Sequence, residues 1–325
     1  LQDKDARAVF RNISLDLINY GKLKMFIHAQ QNGNSLLQDD DVNAFIRLGT
    51  DFESNYYEVE VPLKVTNNSA TSAEEIWPVE NEIDINFKDL AEVKKRRDLA
   101  NFPIESSYTQ TVGKYRITVR GRPNLTETEA LMIGARNPSS YPDESSKSVC
   151  IWVNELRLSD FDRTPGWAAN AFLGMKLADL GSVNASTRYT TFGFGGIQSR
   201  IQERTREEIL EYDVSANVNL DKFLPGNTGI KIPAYASYEK RTITPKYDPF
   251  DPDIPLEASL DAIEDDNERE AYKKIAIDET TRRSLNFTNV RKEKVKPDAK
   301  KHIYDIENLS FTYAYSDVTR SNYNI

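Results

Sequence analysis

The sequence predicts an all-β protein: a jelly-roll-like β-sandwich followed by amphipathic antiparallel strands of a large transmembrane β-barrel. Three observations carry this. Apolar residues alternate with polar ones through most of the chain, the signal of strands with two unlike faces. The pattern changes near Trp167, where the second strand face becomes small and polar. The links in the second half are also uneven, with short turns set among long connections.

The bulk properties agree. A chain of 325 residues with 39% hydrophobic and 29% charged residues is long enough for two domains and too polar for one large core. No run approaches the ~18 apolar residues of a membrane helix, but a barrel strand needs only ~9–11 residues, every second one facing inward. The net charge of -9 argues against nucleic acid as a partner, because phosphate binding calls for a basic surface. Cys150 is the single cysteine, so no internal disulfide can form. Its apolar run Val149-Cys150-Ile151-Trp152 suggests a buried structural thiol. The chain opens at Leu1 without a methionine or signal peptide and reads as a piece of a longer protein.

Residues 1–163 read as the sandwich. Leu23, Met25, Ile27 and Ala29 alternate with polar neighbours, as do Ala44, Ile46 and Leu48, then Tyr57, Val59, Val61 and Leu63. Ile83 and Ile85, then Tyr115, Ile117 and Val119, then Leu131 and Ile133 continue the series, and residues 149–158 close it. About eight short strands at this spacing predict an antiparallel sandwich. One helix is expected over residues 88–100, where Leu90, Val93 and Leu99 sit among charges.

Residues 167–325 read as about six barrel strands. They are expected at 167–177, 183–191, 212–220 and 230–240, then around Leu285 and Phe287, and from Leu309 to Tyr315. One parity puts Asn170, Lys176, Asn184, Ser186, Arg188, Asp213, Ser215, Asn217 and Asn219 on a face suited to a pore lumen. The other puts Trp167, Leu173, Val183, Tyr189, Tyr212, Val214, Val218 and Tyr238 on a face suited to lipid. Trp167, Tyr189, Tyr212 and Tyr238 are expected near the loop-side ends as interfacial anchors. Turns at 178–181 and 221–229 are short, whereas links 191–211, 242–282 and 289–307 are long. Short turns at one rim and long loops at the other is the outer-membrane arrangement, long loops outside. Helical spacing within 256–281 predicts a helical cap on the loop side. A soluble sandwich with one wet face would alternate in the same way.

Specific runs add a resemblance. Ile151-Trp152-Val153-Asn154-Glu155-Leu156-Arg157-Leu158-Ser159-Asp160-Phe161, Gly166-Trp167-Ala168-Ala169-Asn170 and Leu177-Ala178-Asp179-Leu180-Gly181 resemble segments of the SprA (Sov) family. So do Phe192-Gly193-Phe194-Gly195, Tyr247-Asp248-Pro249-Phe250-Asp251-Pro252-Asp253-Ile254-Pro255-Leu256 and Ser284-Leu285-Asn286-Phe287-Thr288-Asn289-Val290-Arg291-Lys292. The resemblance runs in order along nearly the whole chain. It implies the outer-membrane translocon of the type IX secretion system, a very large single-chain barrel that exports folded cargo and supports gliding motility. It also implies partners: cargo proteins with a C-terminal signal domain, a PorV-type shuttle protein, a periplasmic plug protein and outer-membrane lipid.

No catalytic or cofactor site is expected. His28 and His302 lack ligand-spaced partners, and zinc requires three or four convergent ligands. Residues 248–253 could offer carboxylates to calcium, but prolines stiffen the loop and the helix–loop–helix spacing is missing. Gly193-Phe194-Gly195-Gly196 lacks the lysine and strand–helix setting of a phosphate loop. The alternative class is a surface carbohydrate-binding jelly-roll protein. An enzyme acting on glycans would need paired carboxylates that cannot be placed here. Finally, short turns in the periplasm put the start of the 167–177 strand outside, and Thr164-Pro165-Gly166 reaches only roughly 10 Å, too short to cross a bilayer, so the first domain is expected on the extracellular side or in the outer mouth of the lumen.

Overall fold

The computed structural model describes residues 1–33, 37–138, 145–200, 203–225, 228–295 and 302–323. The chain divides into two units. The first holds Leu1–Arg163 together with Asp251–Ile254, and the second holds Thr164–Phe250 and Pro255–Ile325.

The first unit runs β1 (Ala6–Leu15), β2 (Tyr20–Gln31), β3 (Asn43–Gly49), β4 (Tyr56–Pro62), α1 (Ala73–Ile76), β5 (Ile83–Asn86), α2 (Phe87–Leu99), β6 (Tyr108–Val112), β7 (Tyr115–Arg120), β8 (Thr128–Arg136) and β9 (Val149–Phe161). Its strands form a six-stranded sheet, ordered β1-β8-β3-β4-β7-β6, and a three-stranded sheet, ordered β5-β2-β9. All pairs are antiparallel. The period-two residues meet between the sheets. Leu23, Met25 and Ile27 of β2, Ala44, Ile46 and Leu48 of β3, and Tyr57, Val59 and Val61 of β4 all lie in one buried cluster. Each fully buried aliphatic chain of this kind is worth ~1.5–3 kcal/mol. Phe87, Leu90 and Val93 of α2 join the same cluster, so the helix acts as a lid beside β5 and β7.

Among the described residues nine strands stand where about eight were expected. β1 and β6 escape the pattern for different reasons. β1 has apolar residues on both parities and is exposed along nearly all of its length, so no single face is selected. β6 reads Tyr-Thr-Gln-Thr-Val and is mostly polar. The topology also departs from a pure jelly roll. β1, β2 and β3 alternate between the sheets, but β3–β4 and β6–β7 are hairpins within one sheet. Cys150 is half-exposed rather than buried. It pairs with Gln30 on the outward face of β9, where the Trp152 indole N–H points at its sulfur at 3.2 Å.

The second unit runs β10 (Ala168–Leu177), β11 (Gly181–Thr190), β12 (Glu207–Asn219), β13 (Ile230–Lys231), β14 (Pro233–Pro245), α3 (Leu256–Asp261), α4 (Asp266–Ala276), β15 (Asp278–Lys292) and β16 (Ser310–Ser321). Six long strands pair in the order β10-β11-β12-β14-β15-β16, and β13 pairs with the end of β15. The hairpins expected from the short turns are present. The β10–β11 turn is tight. Ala178 sits at φ 44 and Gly181 at φ 154, where an added Cβ would lie 1.9 Å from the Asn217 carbonyl oxygen. Among the described residues no pairing closes this sheet into a barrel.

The strands extend further than the sequence suggested. β12 begins at Glu207, β14 ends at Pro245 and β15 spans Asp278–Lys292, because charged positions that read as loop continue the ladder. The long link before β16 is also a correction. β15 runs toward the rim that holds the 178–180 turn and residues 220–225 and 228–232, so residues 293–295 and 302–309 lie on that short-turn rim. Strand parity dictates this: each antiparallel strand reverses the rim, whatever the length of the link. The other rim keeps residues 191–200, 203–206 and 246–277, the last containing α3 and α4.

Candidate functional site: two faces of one sheet

The register settles which side chains share a face. Across β10 to β16 one row reads Gly174, Asn184, Ser215, Ser237, Ser284 and Ser316. The next row toward the long-link rim reads Phe172, Ser186, Asp213, Glu239, Arg282 and Val318, and the one beyond it Asn170, Arg188, Glu211, Arg241, Thr280 and Arg320. All nine residues expected on the polar face fall on this side, with Lys176, Asn217 and Asn219 toward the short-turn rim.

The opposite face collects the apolar set. The row through Leu173 reads Ala185, Val214, Tyr238, Arg283 and Asp317. Val183 and Val218 lie toward the short turns, and Tyr189 and Tyr212 toward the long links. Trp167 precedes β10 and its ring packs edge-on to Tyr189, centroids 5.1 Å apart, at the long-link end. Tyr212 and Tyr238, centroids 6.1 Å apart, sit mid-strand instead of at that end, because β12 and β14 run on past them.

The two faces differ in chemistry. Glu211 receives Arg241 Nε at 2.7 Å and has Arg188 at 4.0 Å, so three strands share one ion-pair row. Arg282 lies 3.5 Å from Glu239, Arg320 lies 2.6 Å from Asp278, and the Ser186 hydroxyl donates to Asp213. Among the described residues no layer covers the apolar face. Among the described residues the buried apolar side chains of the second unit are Leu256 and Ala276, both outside the strands, and Leu173 is 63% exposed. A soluble sandwich would cover one face of such a sheet.

A second cluster lies in the first unit and was not anticipated. Asp253 is buried and accepts from the Tyr57 hydroxyl at 2.7 Å, the Leu125 N–H at 2.5 Å and Lys94 Nζ at 3.1 Å. Lys94 also pairs with Asp251 and donates to the Pro123 carbonyl at 2.8 Å. Burial pushes the Asp251 carboxyl up even though the Lys94 ammonium beside it pulls the other way. Burial, reinforced by the Asp253 charge, also pushes the Tyr57 phenol well up. The Asp253 oxygens are committed to protein donors, and Asp248 accepts from the Phe250 N–H at 2.9 Å and the Tyr272 hydroxyl at 2.7 Å. No cluster of metal-ligating side chains occurs among the described residues. His28 bonds the Ile76 carbonyl at 2.7 Å and Gln30 at 3.1 Å, a structural setting.

A family model described as motility related/secretion protein, SprA_N, matches residues 1–260. The chain belongs to the SprA family. Comparison with curated proteins returned no match. Parity would have extended the polar set to Glu211, Ser237, Glu239, Arg241, Arg282, Ser284, Asn286 and Arg320. The Lys94–Asp253 pair left no trace in the sequence, because the two residues are far apart along the chain.

Proposed function

We propose that this SprA-family chain supplies part of the wall of the outer-membrane protein-conducting pore of the type IX secretion system, exporting folded cargo to the cell surface and supporting gliding motility. One observation carries the reading: the apolar belt runs diagonally across the sheet. On β10 it spans Ala169, Ala171, Leu173, Met175 and Leu177, centred on Leu173. The register row through Leu173 reaches β16 at Asp317, but the apolar run there is Phe311, Tyr313 and Tyr315, centred on Tyr313. The belt therefore slips by 317 − 313, or roughly 4 residues, over five strand-to-strand steps. With ~3.3 Å per residue and strands ~4.8 Å apart that is a slope of about 30°, close to the ~35–45° tilt of barrel strands across a flat bilayer. The first charge on this face follows the same line, at Glu208 on β12, Lys240 on β14 and Arg283 on β15.

On this reading the apolar face meets lipid and the polar face lines a water-filled lumen. β10 starts at the long-link rim, which supports an extracellular position for the first unit. Cargo with a C-terminal signal domain, a PorV-type shuttle protein and a periplasmic plug protein are the partners, and no catalysis is involved. The test is alternate cysteine labelling in the full-length protein in its membrane. Ser215→Cys should react with a water-soluble maleimide and Val214→Cys should be protected. Equal labelling at both would sink the assignment of faces.

A carbohydrate-binding role for the first unit would rest on Trp152, 60% exposed on β9. It leaves the slanted belt of the second unit without a cause.

A further inference from the structure

The two sheets of the first unit are unequal in width, and the mismatch falls on one side. The wider runs β1-β8-β3-β4-β7-β6 and the narrower β5-β2-β9. β5 stands across from β7, since the Asp84 N–H of β5 donates to the Tyr115 hydroxyl of β7 at 2.8 Å. α2 extends that layer over β6 and β7. β2 meets β3 and β4 in the buried cluster, so β9, on the other side of β2, lies across from β8. Among the described residues nothing covers β1, the strand beyond β8.

Both strands that border the gap show it. Leu131, Ile133 and Ala135 of β8 pack on the core, and their register partners on β1 are Arg11, Val9 and Arg7. Residues directly opposite on paired strands share a face, so these three point to the core side of β1. Val9 is nevertheless 73% exposed. On β9, Val153 pairs with the buried Ile27 and also points inward, yet it is 42% exposed. Among the described strands β9 pairs with β2 alone, so its other edge offers backbone N–H and C=O groups to a newcomer. That edge is regular over Val149–Asn154 and breaks at Glu155, whose φ is 53.

We propose that this gap is a docking site for a short extended segment of another protein, which adds to β9 as a fourth strand and covers the inner face of β1. The site belongs to the first unit alone. Backbone bonds to β9 would hold the segment, and its alternate side chains would be read by β1. Arg7, Val9 and Arg11 set the pattern: the inward positions of the segment, every second residue, are acid, apolar, acid. Both arginines are exposed, and Arg7 holds Asp5 no closer than 3.7 Å, so each can take a new carboxylate. A second copy of β9 fits less well, because the inward residues of its regular stretch, Val149, Ile151 and Val153, bring no acid to the arginines. The break at Glu155 keeps the ladder short, which suits a reversible partner and guards against edge-to-edge aggregation.

The experiment titrates a dye-labelled peptide into the purified full-length protein in detergent and follows fluorescence anisotropy. The peptide alternates threonine with aspartate, valine and aspartate in turn. It should bind, and a version with lysine in place of aspartate should not. Arg7→Glu with Arg11→Glu should weaken the acidic peptide by about tenfold and let the lysine peptide bind instead, since like charges repel across such a contact. Both side chains are exposed, so the exchange spares the core. A version of the acidic peptide methylated on its backbone nitrogens keeps its charges, loses the N–H groups that pair with β9, and should not bind. Failure of the acidic peptide to bind, equal binding of both charges, or indifference to the arginine exchange or to methylation overturns the proposal. Dimers of the peptide-free protein that the acidic peptide breaks apart would make a second copy the occupant and overturn the choice of partner.

Discussion

Two β-sheet systems in one chain use the same alternation to opposite ends. In the first unit Ile46 of β3 and Tyr57 of β4 point into a space closed by a second sheet and α2, and neither is exposed. In the second unit Leu173 and Val214 sit on the same kind of alternating strand and remain open. Period two says only that a strand has two unlike faces. Whether the apolar face is covered by protein depends on whether the chain supplies a second layer. The first unit encloses its apolar face, and the second leaves its apolar face open, with the apolar run slipping from strand to strand.

The sharpest break in this comparison lies at Asp253. Asp253→Ala leaves the Lys94 ammonium buried beside an empty place and leaves the Tyr57 hydroxyl and the Leu125 N–H without their acceptor. Removing one partner of a buried pair costs up to ~3–5 kcal/mol, and since Lys94 keeps Asp251 and the Pro123 carbonyl the first unit should be destabilised by no more than that. Hydrogen exchange of β4 amides would read the loss. The second unit should keep the protection of its central strands, β12 and β14.

Next come matched truncations. Ile46→Ala should destabilise the first unit by ~2–5 kcal/mol through lost burial and a cavity. Leu173→Ala removes similar bulk from an open surface and should leave the unfolding midpoint in detergent nearly unchanged. A comparable loss at both positions would mean that the second sheet has a hidden protein layer.

The faces of the second unit can be compared by charge insertion. Ala216→Arg places a cation in the belt and should reduce membrane assembly by ~2–4 kcal/mol near the midplane, whereas Asn217→Arg on the polar face should cost little. Equal tolerance would erase the distinction between the faces.

The smallest effect is a pH dependence confined to the first unit. Burial acts to raise the Asp51 carboxyl, but the N–H groups of Ser54, Glu53 and Asn55 and the Asn55 side-chain amide outweigh it and hold it at about 2. An acid whose folded value is depressed stabilises the fold above the ordinary carboxyl value of ~3.9 and loses that contribution as pH falls toward the folded value. Asp51→Ala should therefore flatten the acid limb of the first unit's stability curve, measured between pH 4 and 2 by fluorescence.

The sequence by itself determined most of the strands, β1 and β6 excepted, and the sidedness of those it showed. Period two is a local property, so Met25 and Ile27 in the first unit, and Asn184, Ser215 and Val214 in the second, could each be assigned to a face from neighbours alone. The helix over 87–99 was legible for the same reason. Tertiary structure decided what local patterns do not encode. It brought Asp253 to Lys94 across a long stretch of chain, because a buried charge is held by its partner in space and not by its neighbours in sequence. It put the end of β15 and the start of β16 on the short-turn rim, because antiparallel pairing, and not link length, sets the rim. It also fixed the slope of the apolar belt, since the offset between strands exists only once the register does.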